Sequence, residues 1–522
     1  MGGGRGDGVR GERGAGGPDA GVMNPEETRR RSSAWWVAVA TAPVLVAAAL
    51  KVQVVSRPYW SHYFDPETIF FYDGVRLAHG LPPVNVDHPG APTQLLSALL
   101  VLLTGDDPLG IDRFRHAGYV LSGLLLFLGA FVLHRALLDR LEPVFEIAAL
   151  WAWFSFPTVV RWTSVWTTEA LCLPFGALAL AAAWRFDRRR GRVNAALLGA
   201  SLGLLVSLKF LFLSWLPAGV ILVLLGGEES RTNRVKQLIV AATATIAAFV
   251  ALTLPSVSRY PYMASWFWKL ASRSGEYGSG STGLPTANEA AVIVIDWVAT
   301  AKGWSLLFSA GLVWLLVSTV RERRRGRAWD GAALFALTAL VFSSLAVFRA
   351  NGSGRYMLPS GLAAFMVFSL ALFRVPAKAR CGVAACAMGV AGLLLARSLV
   401  QDHSNEASWA ARGPLLRGEL ANVLARHGLS LDQSNLVYSF RFPDPAFALR
   451  IMTSDPRMYM RIEEQFPRTG HYNPWTHELH LPRAQDRWDA LVIMGRDVPS
   501  LPFPVGRELG RIEDYIVLAP SS

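Results

Sequence analysis

Residues 28–55 read TRRRSSAWWVAVATAPVLVAAALKVQVV. Three arginines precede a run, Ala34 to Leu50, that carries no charged residue. A helix needs about 20 apolar residues to cross a hydrocarbon core of ~30 Å. Residues 34–55 therefore read as a membrane span, with the arginines on the cytoplasmic side.

Ten further apolar runs follow, near 114–137, 143–159, 166–184, 193–208, 210–226, 237–255, 303–320, 330–348, 357–374 and 381–399. With eleven spans and a cytoplasmic N-terminus, the short inside loops and their flanks hold eighteen Lys and Arg. The short outside loops hold four, Arg161, Lys209, Arg349 and Arg355. That contrast supports the layout, because one missed span would swap the sides of the later loops. Composition agrees. Of 522 residues, 52% are hydrophobic and 17% charged, where a soluble chain carries about 25% charged residues. A net charge of +12 would suggest nucleic acid in a soluble protein. Here the basic residues fall between apolar runs, so topology explains them and no nucleic-acid partner is expected. Cys172, Cys381 and Cys386 lie in apolar runs with no disulfide or zinc spacing and read as packing residues.

The chain accordingly reads as a polytopic α-helical membrane protein of the cell (plasma or inner) membrane, in three parts. Residues 1–33, rich in Gly and Arg, form a disordered cytoplasmic tail. Residues 34–399 form the transmembrane domain, with large outer loops at 56–113 and 256–302. Residues 400–522 form a small extracytoplasmic, soluble α/β domain, because LVYSF and DALVIM look like strands and GPLLRGELANVLARHG like a helix. The C-terminus is then extracytoplasmic. TQLLSALLVLL, within the first outer loop, is too short to span comfortably and reads as an interfacial helix.

The first outer loop collects Asp65, Glu67, Asp73, Asp87 and His88 among tyrosines, phenylalanines and prolines. Carboxylates near water are ordinary, but the aromatics favour a packed lip over the membrane. In order along the chain come FDPETIFFYDGVRLAHG, DHPGAPTQLLSALLVLLTG, IDRFRHAGYVLSGLLLFLGAFVLHRALL, TTEALCLPFGALALAAA, LLVSLKFLFLSWLP and GSGRYMLPS. This series, over about residues 34–400, resembles the C-type glycosyltransferases. These are polytopic enzymes that take a sugar from a polyprenyl-phosphate carrier, and the likeness is to the protein O-mannosyltransferase and lipid A aminoarabinose transferase branch. The departure is that Pro66 separates Asp65 from Glu67, where the family's acidic pair is adjacent.

The resemblance implies a hexosyl- or pentosyltransferase that moves the sugar, with inversion, to an extracytoplasmic glycan, lipid or protein. Such a step needs a base near the acceptor, and Asp65 is the candidate, with Glu67 as substitute or acceptor-site group. It also needs positive charge against the departing lipid phosphate. Arg355, beside Tyr356, is the first choice, followed by Lys209, Arg259 and Arg113. His88, Asp87 and Glu169 are placed at the acceptor side or cavity, and Glu276 and Tyr277, in SRSGEYGSGSTG, read as a lid. No cofactor or metal is expected, since two cationic side chains suffice for a monophosphate; Asp65, Glu67 and His88 are the donors that a divalent ion would use. The alternative is a polytopic transporter or lipid flippase, against which stands the absence of an inverted repeat or of paired broken spans in the sequence.

Overall fold

The structure, a computed structural model, describes residues 35–521 except 47–48, 50–57, 62–64, 87–89, 137–140, 157–158, 162–164, 227–228, 274–285, 301, 326–329, 350–353, 440–441, 451–452, 454, 474–476 and 483–486. The side chains of 65, 66, 300, 302, 354 and 355 are also outside the description.

Helices dominate up to residue 425. They are α1 (Trp35–Val46), α2 (Asp65–Ala78), α3 (Ala91–Thr104), α4 (Ile111–Ala136), α5 (Pro143–Phe154) and α6 (Thr168–Arg188). Next come α7 (Arg192–Leu208), the 3-10 turn Phe210–Trp215 running into α8 (Leu216–Leu225), α9 (Arg231–Thr253), α10 (Tyr260–Ser272) and α11 (Ala287–Thr300). Then follow α12 (Lys302–Arg324), α13 (Gly331–Arg349), α14 (Leu358–Phe373) and α15 (Arg380–Ala425). Each of the eleven apolar runs falls on a helix. Among the described residues, six helices are long and apolar enough to cross a membrane, and the other five runs give shorter apolar helices. The count of eleven crossings therefore rests on the sequence pattern.

Burial separates the helices into inner and outer ones. Helix α14 is buried almost throughout and α6 over most of its length. By contrast α9, α12 and α15 present apolar faces, with Ile246 63%, Leu306 74% and Leu393 74% exposed. A surface of this kind needs an apolar solvent, which a bilayer supplies. The chain is thus an integral membrane protein. Helices α7 and α9 pack closely because Gly199 and Gly203 expose backbone one turn apart. A Cβ on either would overlap the carbonyl oxygen of Ala241 or Thr245, which is how small residues let membrane helices approach. Cys172 is buried as expected, but Cys381 and Cys386 lie on the exposed face of α15, so they are not packing residues.

The acidic segment after α1, read from the sequence as a packed lip, is helical over Asp65–Ala78. Pro66 falls in the first turn of α2, where proline's missing N–H costs nothing and its fixed φ suits a helix. That placement explains the interruption between Asp65 and Glu67.

Helix α15 has 46 residues, roughly 69 Å at 1.5 Å per residue. It is far longer than a bilayer core, and the shift from apolar to polar sequence near residue 400 falls inside it. Its last turns bury Leu416, Leu420 and Leu424 against a C-terminal sheet. That sheet comprises β1 (Leu436–Ser439), β2 (Thr469–Asn473), β3 (Glu478–His480), β4 (Ala490–Met494), β5 (Val505–Ile512) and β6 (Tyr515–Pro520). The strand order is β3-β2-β1-β4-β6-β5. The two strand-like motifs are β1 and β4, parallel neighbours in the register Leu436 to Ala490 and Tyr438 to Val492.

The C-terminal unit grips α2. The Tyr72 hydroxyl donates to the Leu449 carbonyl at 2.7 Å, and Arg76 Nη1 lies 3.0 Å from Asp455 Oδ2. Helix α2 is therefore held from both sides, by α3 through Gly74 on Ser97 and by the sheet unit.

Candidate active site

Two buried ionic clusters lie among these helices, one between α2 and α4 and one between α6 and the end of α7. In the first, Glu67 on α2 faces α4. Arg115 Nε donates to Glu67 Oε2 at 2.8 Å, and the Tyr119 hydroxyl donates to Glu67 Oε1 at 2.6 Å. Arg115 also donates through Nη2 to the Tyr119 oxygen at 2.9 Å and through Nη1 to Asp112 Oδ1 at 2.6 Å. Glu67 and Arg115 are almost fully buried. Stripping water from two such charges is costly, and only close pairing with filled hydrogen bonds offsets it. Both Glu67 oxygens are engaged, so the group is fixed as an acceptor.

The second cluster joins three segments far apart in sequence. Lys209 caps the end of α7 in an extended conformation, and the 3-10 turn after it breaks the helix. Its side chain thereby turns inward. Nζ lies 2.5 Å from Glu169 Oε1 on α6, and both side chains are buried. The Thr168 hydroxyl donates to Glu169 Oε2 at 3.0 Å. Lys209 Nζ also stands 4.7 Å from the ring centroid of Tyr356, which is buried in the turn Gly354–Met357. A cation this close to an aromatic face gains roughly 0.5–2 kcal/mol.

Trp166 packs between the helices that carry the two clusters. Gly118, one turn beyond Arg115, lies so close to Trp166 that a Cβ would stand 2.8 Å from its ring. Trp166 donates to the Ser97 hydroxyl at 2.8 Å and sits three residues before Glu169. Beside them Asp73 organises the turn after α2. It accepts from Val84 N at 2.9 Å and from Gln94 Nε2 at 3.0 Å, and burial pushes its carboxyl up to about 7.

Of the residues singled out from sequence, Lys209, Glu169 and Tyr356 are brought together. Glu67 lies in the first cluster. The backbone of Asp65 opens α2 two residues before Glu67, and Arg355 shares the turn that carries Tyr356. The side chains of Asp65 and Arg355, and all of Asp87, His88, Glu276 and Tyr277, lie outside the described residues. Arg113 is exposed and folds back over Gly110, away from the buried face of α4. Arg259 is partly buried at the end of the 3-10 turn Leu254–Arg259, and no hydrogen bond or ion pair joins it to either cluster among the described residues. Sequence reasoning missed Arg115 and Tyr119. The signal was present, because Ile111, Arg115, Gly118, Ser122 and Leu126 follow the helical period. An arginine on such an apolar stripe requires a buried partner.

No protein-family model matches the chain, and no curated protein matches it. Solved structures do. One is ArnT from Cupriavidus metallidurans bound to undecaprenyl phosphate, at 13% identity and TM-score 0.52, covering 94% of this chain and 98% of that one. The same protein in the apo state matches at 12% identity and TM-score 0.54, covering 95% and 98%. The chain therefore shares the fold of that protein over nearly its whole length.

Proposed function

We propose that this protein is a membrane glycosyltransferase that takes a sugar from a polyprenyl-phosphate carrier and delivers it, with inversion, to an extracytoplasmic acceptor in the cell envelope. The observation that carries the reading is the convergence of Lys209, Glu169 and Tyr356, within the fold of a protein whose crystal structure holds undecaprenyl phosphate.

In the proposed step the acceptor oxygen or nitrogen attacks the anomeric carbon from the face opposite the phosphate. The bond to the phosphate oxygen breaks, the phosphate leaves with the electron pair, and the acceptor's proton passes to Asp65. A positioned carboxylate base contributes on the order of 10²–10⁴-fold. Lys209, with Arg355 from the adjoining turn, stabilises the charge that develops on the leaving phosphate. Glu169 orients the lysine in its buried setting. Glu67, locked by Arg115 and Tyr119, fixes α2 and so fixes where Asp65 sits. The test is a comparison of envelope glycans and lipids between a deletion strain and one rescued with the intact chain. Loss and restoration of one sugar-substituted component is expected, and an unchanged inventory overturns the proposal.

A further inference from the structure

At the ends of α4, α6 and α7 remote from the ionic clusters lies a cavity of about 610 Å³. Four arginines line it, Arg135 from α4 and Arg185, Arg188 and Arg189 from the end of α6. Its other wall is apolar, including Phe131, Leu178 and Leu197. Leu178 is 41% exposed and Leu197 46%, so this wall opens sideways onto the surface that faces acyl chains.

The arginines are not distributed as loop charge alone would place them. Arg190, inside the same run, turns away and donates to the carbonyls of Leu222 and Val223 at 2.9 and 3.2 Å, capping α8. Asp187, the acid of the run, lies 4.0 Å from Arg190 and against Gly331, and also feels the charge of Arg188, but it does not line the cavity. Arg188 is braced over the Trp184 ring at 4.4 Å. Among the described residues, no carboxylate lines the cavity. The turn thus sends its acid and one arginine to packing and leaves three arginines, joined by Arg135, around one concave site.

We propose that this cavity binds the phosphate-bearing headgroup of an anionic membrane lipid, with acyl chains along the apolar wall. Guanidinium groups match phosphate oxygens in charge and in fork geometry, and basic pockets between membrane helices suit anionic headgroups. A free phosphate would satisfy the arginines but leave the apolar wall bare. The site is distinct from the candidate active site. Arg185 lies sixteen residues along α6 from Glu169, about 24 Å at 1.5 Å per residue, which places the two toward opposite faces of a ~30 Å core. The proposal does not depend on the glycosyltransferase reading.

The experiment uses the full chain in neutral detergent, with phosphatidylglycerol, phosphatidylcholine and inorganic phosphate as probes, read by native mass spectrometry and thermal unfolding. Phosphatidylglycerol is expected to bind at one copy and to raise Tm, while phosphatidylcholine and inorganic phosphate do neither. Arg185→Gln with Arg188→Gln should weaken phosphatidylglycerol at least tenfold, and Arg135→Gln, which leaves the α6–α7 turn intact, should weaken it also. Arg321→Gln with Arg325→Gln, on a different basic turn, should not. Equal weakening by both double variants, or a Tm rise with inorganic phosphate alone, overturns the proposal.

Discussion

Lys209→Met tests the second ionic cluster. The side chain keeps its length and loses its charge, so Glu169, with a side chain 5% exposed, loses the cation 2.5 Å away. Removing one member of a buried pair costs about 3–5 kcal/mol, because the other charge stays stripped of water. Against a total of roughly 5–15 kcal/mol, that is a large loss. Adding Glu169→Gln removes the stranded charge, so most of the lost stability should return. Activity should not return with it. A charged hydrogen bond to the donor phosphate is worth about 1.5–3 kcal/mol, so transfer at limiting donor should stay roughly ten- to 150-fold down at about 1.4 kcal/mol per decade. The assay pairs thermal unfolding in detergent with transfer by the purified variants. A single variant as stable as the parent would refute the buried-pair energetics, and a double variant that regains activity along with stability would make Lys209 structural only.

Three further outcomes are expected. Gly199→Leu should separate α7 from α9, since a Cβ there would overlap the Ala241 carbonyl, and a normal yield of stable protein would contradict that packing. Asp73 titrates at about 7 in the folded chain and lower when unfolded, so between about pH 4 and pH 7 the folded state holds a proton that the unfolded state releases. Stability should therefore fall as pH rises through that window, and Asp73→Asn should flatten the fall; an unchanged pH profile in the variant would remove Asp73 as its source. Alkaline phosphatase fused after Gly428, where α15 has ended, should be active, and fused after Arg324 it should not; the reverse pattern would invert the topology.

The sequence made the helices legible because long apolar runs alternate with charged turns, and β1 and β4 because short apolar runs lie between polar flanks. It did not disclose α2. The aromatics and prolines of the first outer loop pointed to a packed lip without naming its secondary structure, whereas the proline after Asp65 marks a helix start. Lys209, Glu169 and Tyr356 were readable as exceptions, polar groups at the edges of apolar runs. Their mutual contact spans 147 residues from Lys209 to Tyr356, and nothing local predicts it. Arg113 was singled out from the sequence, while Arg115, the arginine that pairs with Glu67, was not. Two residues on a helix are about 200° apart at 3.6 residues per turn, so the choice fell on the opposite face. The pair of His134 Nδ1 and Glu146, 2.5 Å apart and clasping α4 to α5, was invisible for the same reason, because each is an isolated polar residue whose partner lies on another helix.

The central claim is that the acidic start of α2 supplies the base while Glu67 holds that helix in place. The direct measurement is sugar transfer from a polyprenyl-phosphate donor by purified protein carrying Asp65→Asn, beside Glu67→Gln. The account predicts a loss of about 10²-fold or more for Asp65→Asn with folding intact, and for Glu67→Gln a smaller loss accompanied by lowered thermal stability, since Arg115 loses one of its buried ionised partners. Full activity in Asp65→Asn would contradict the account.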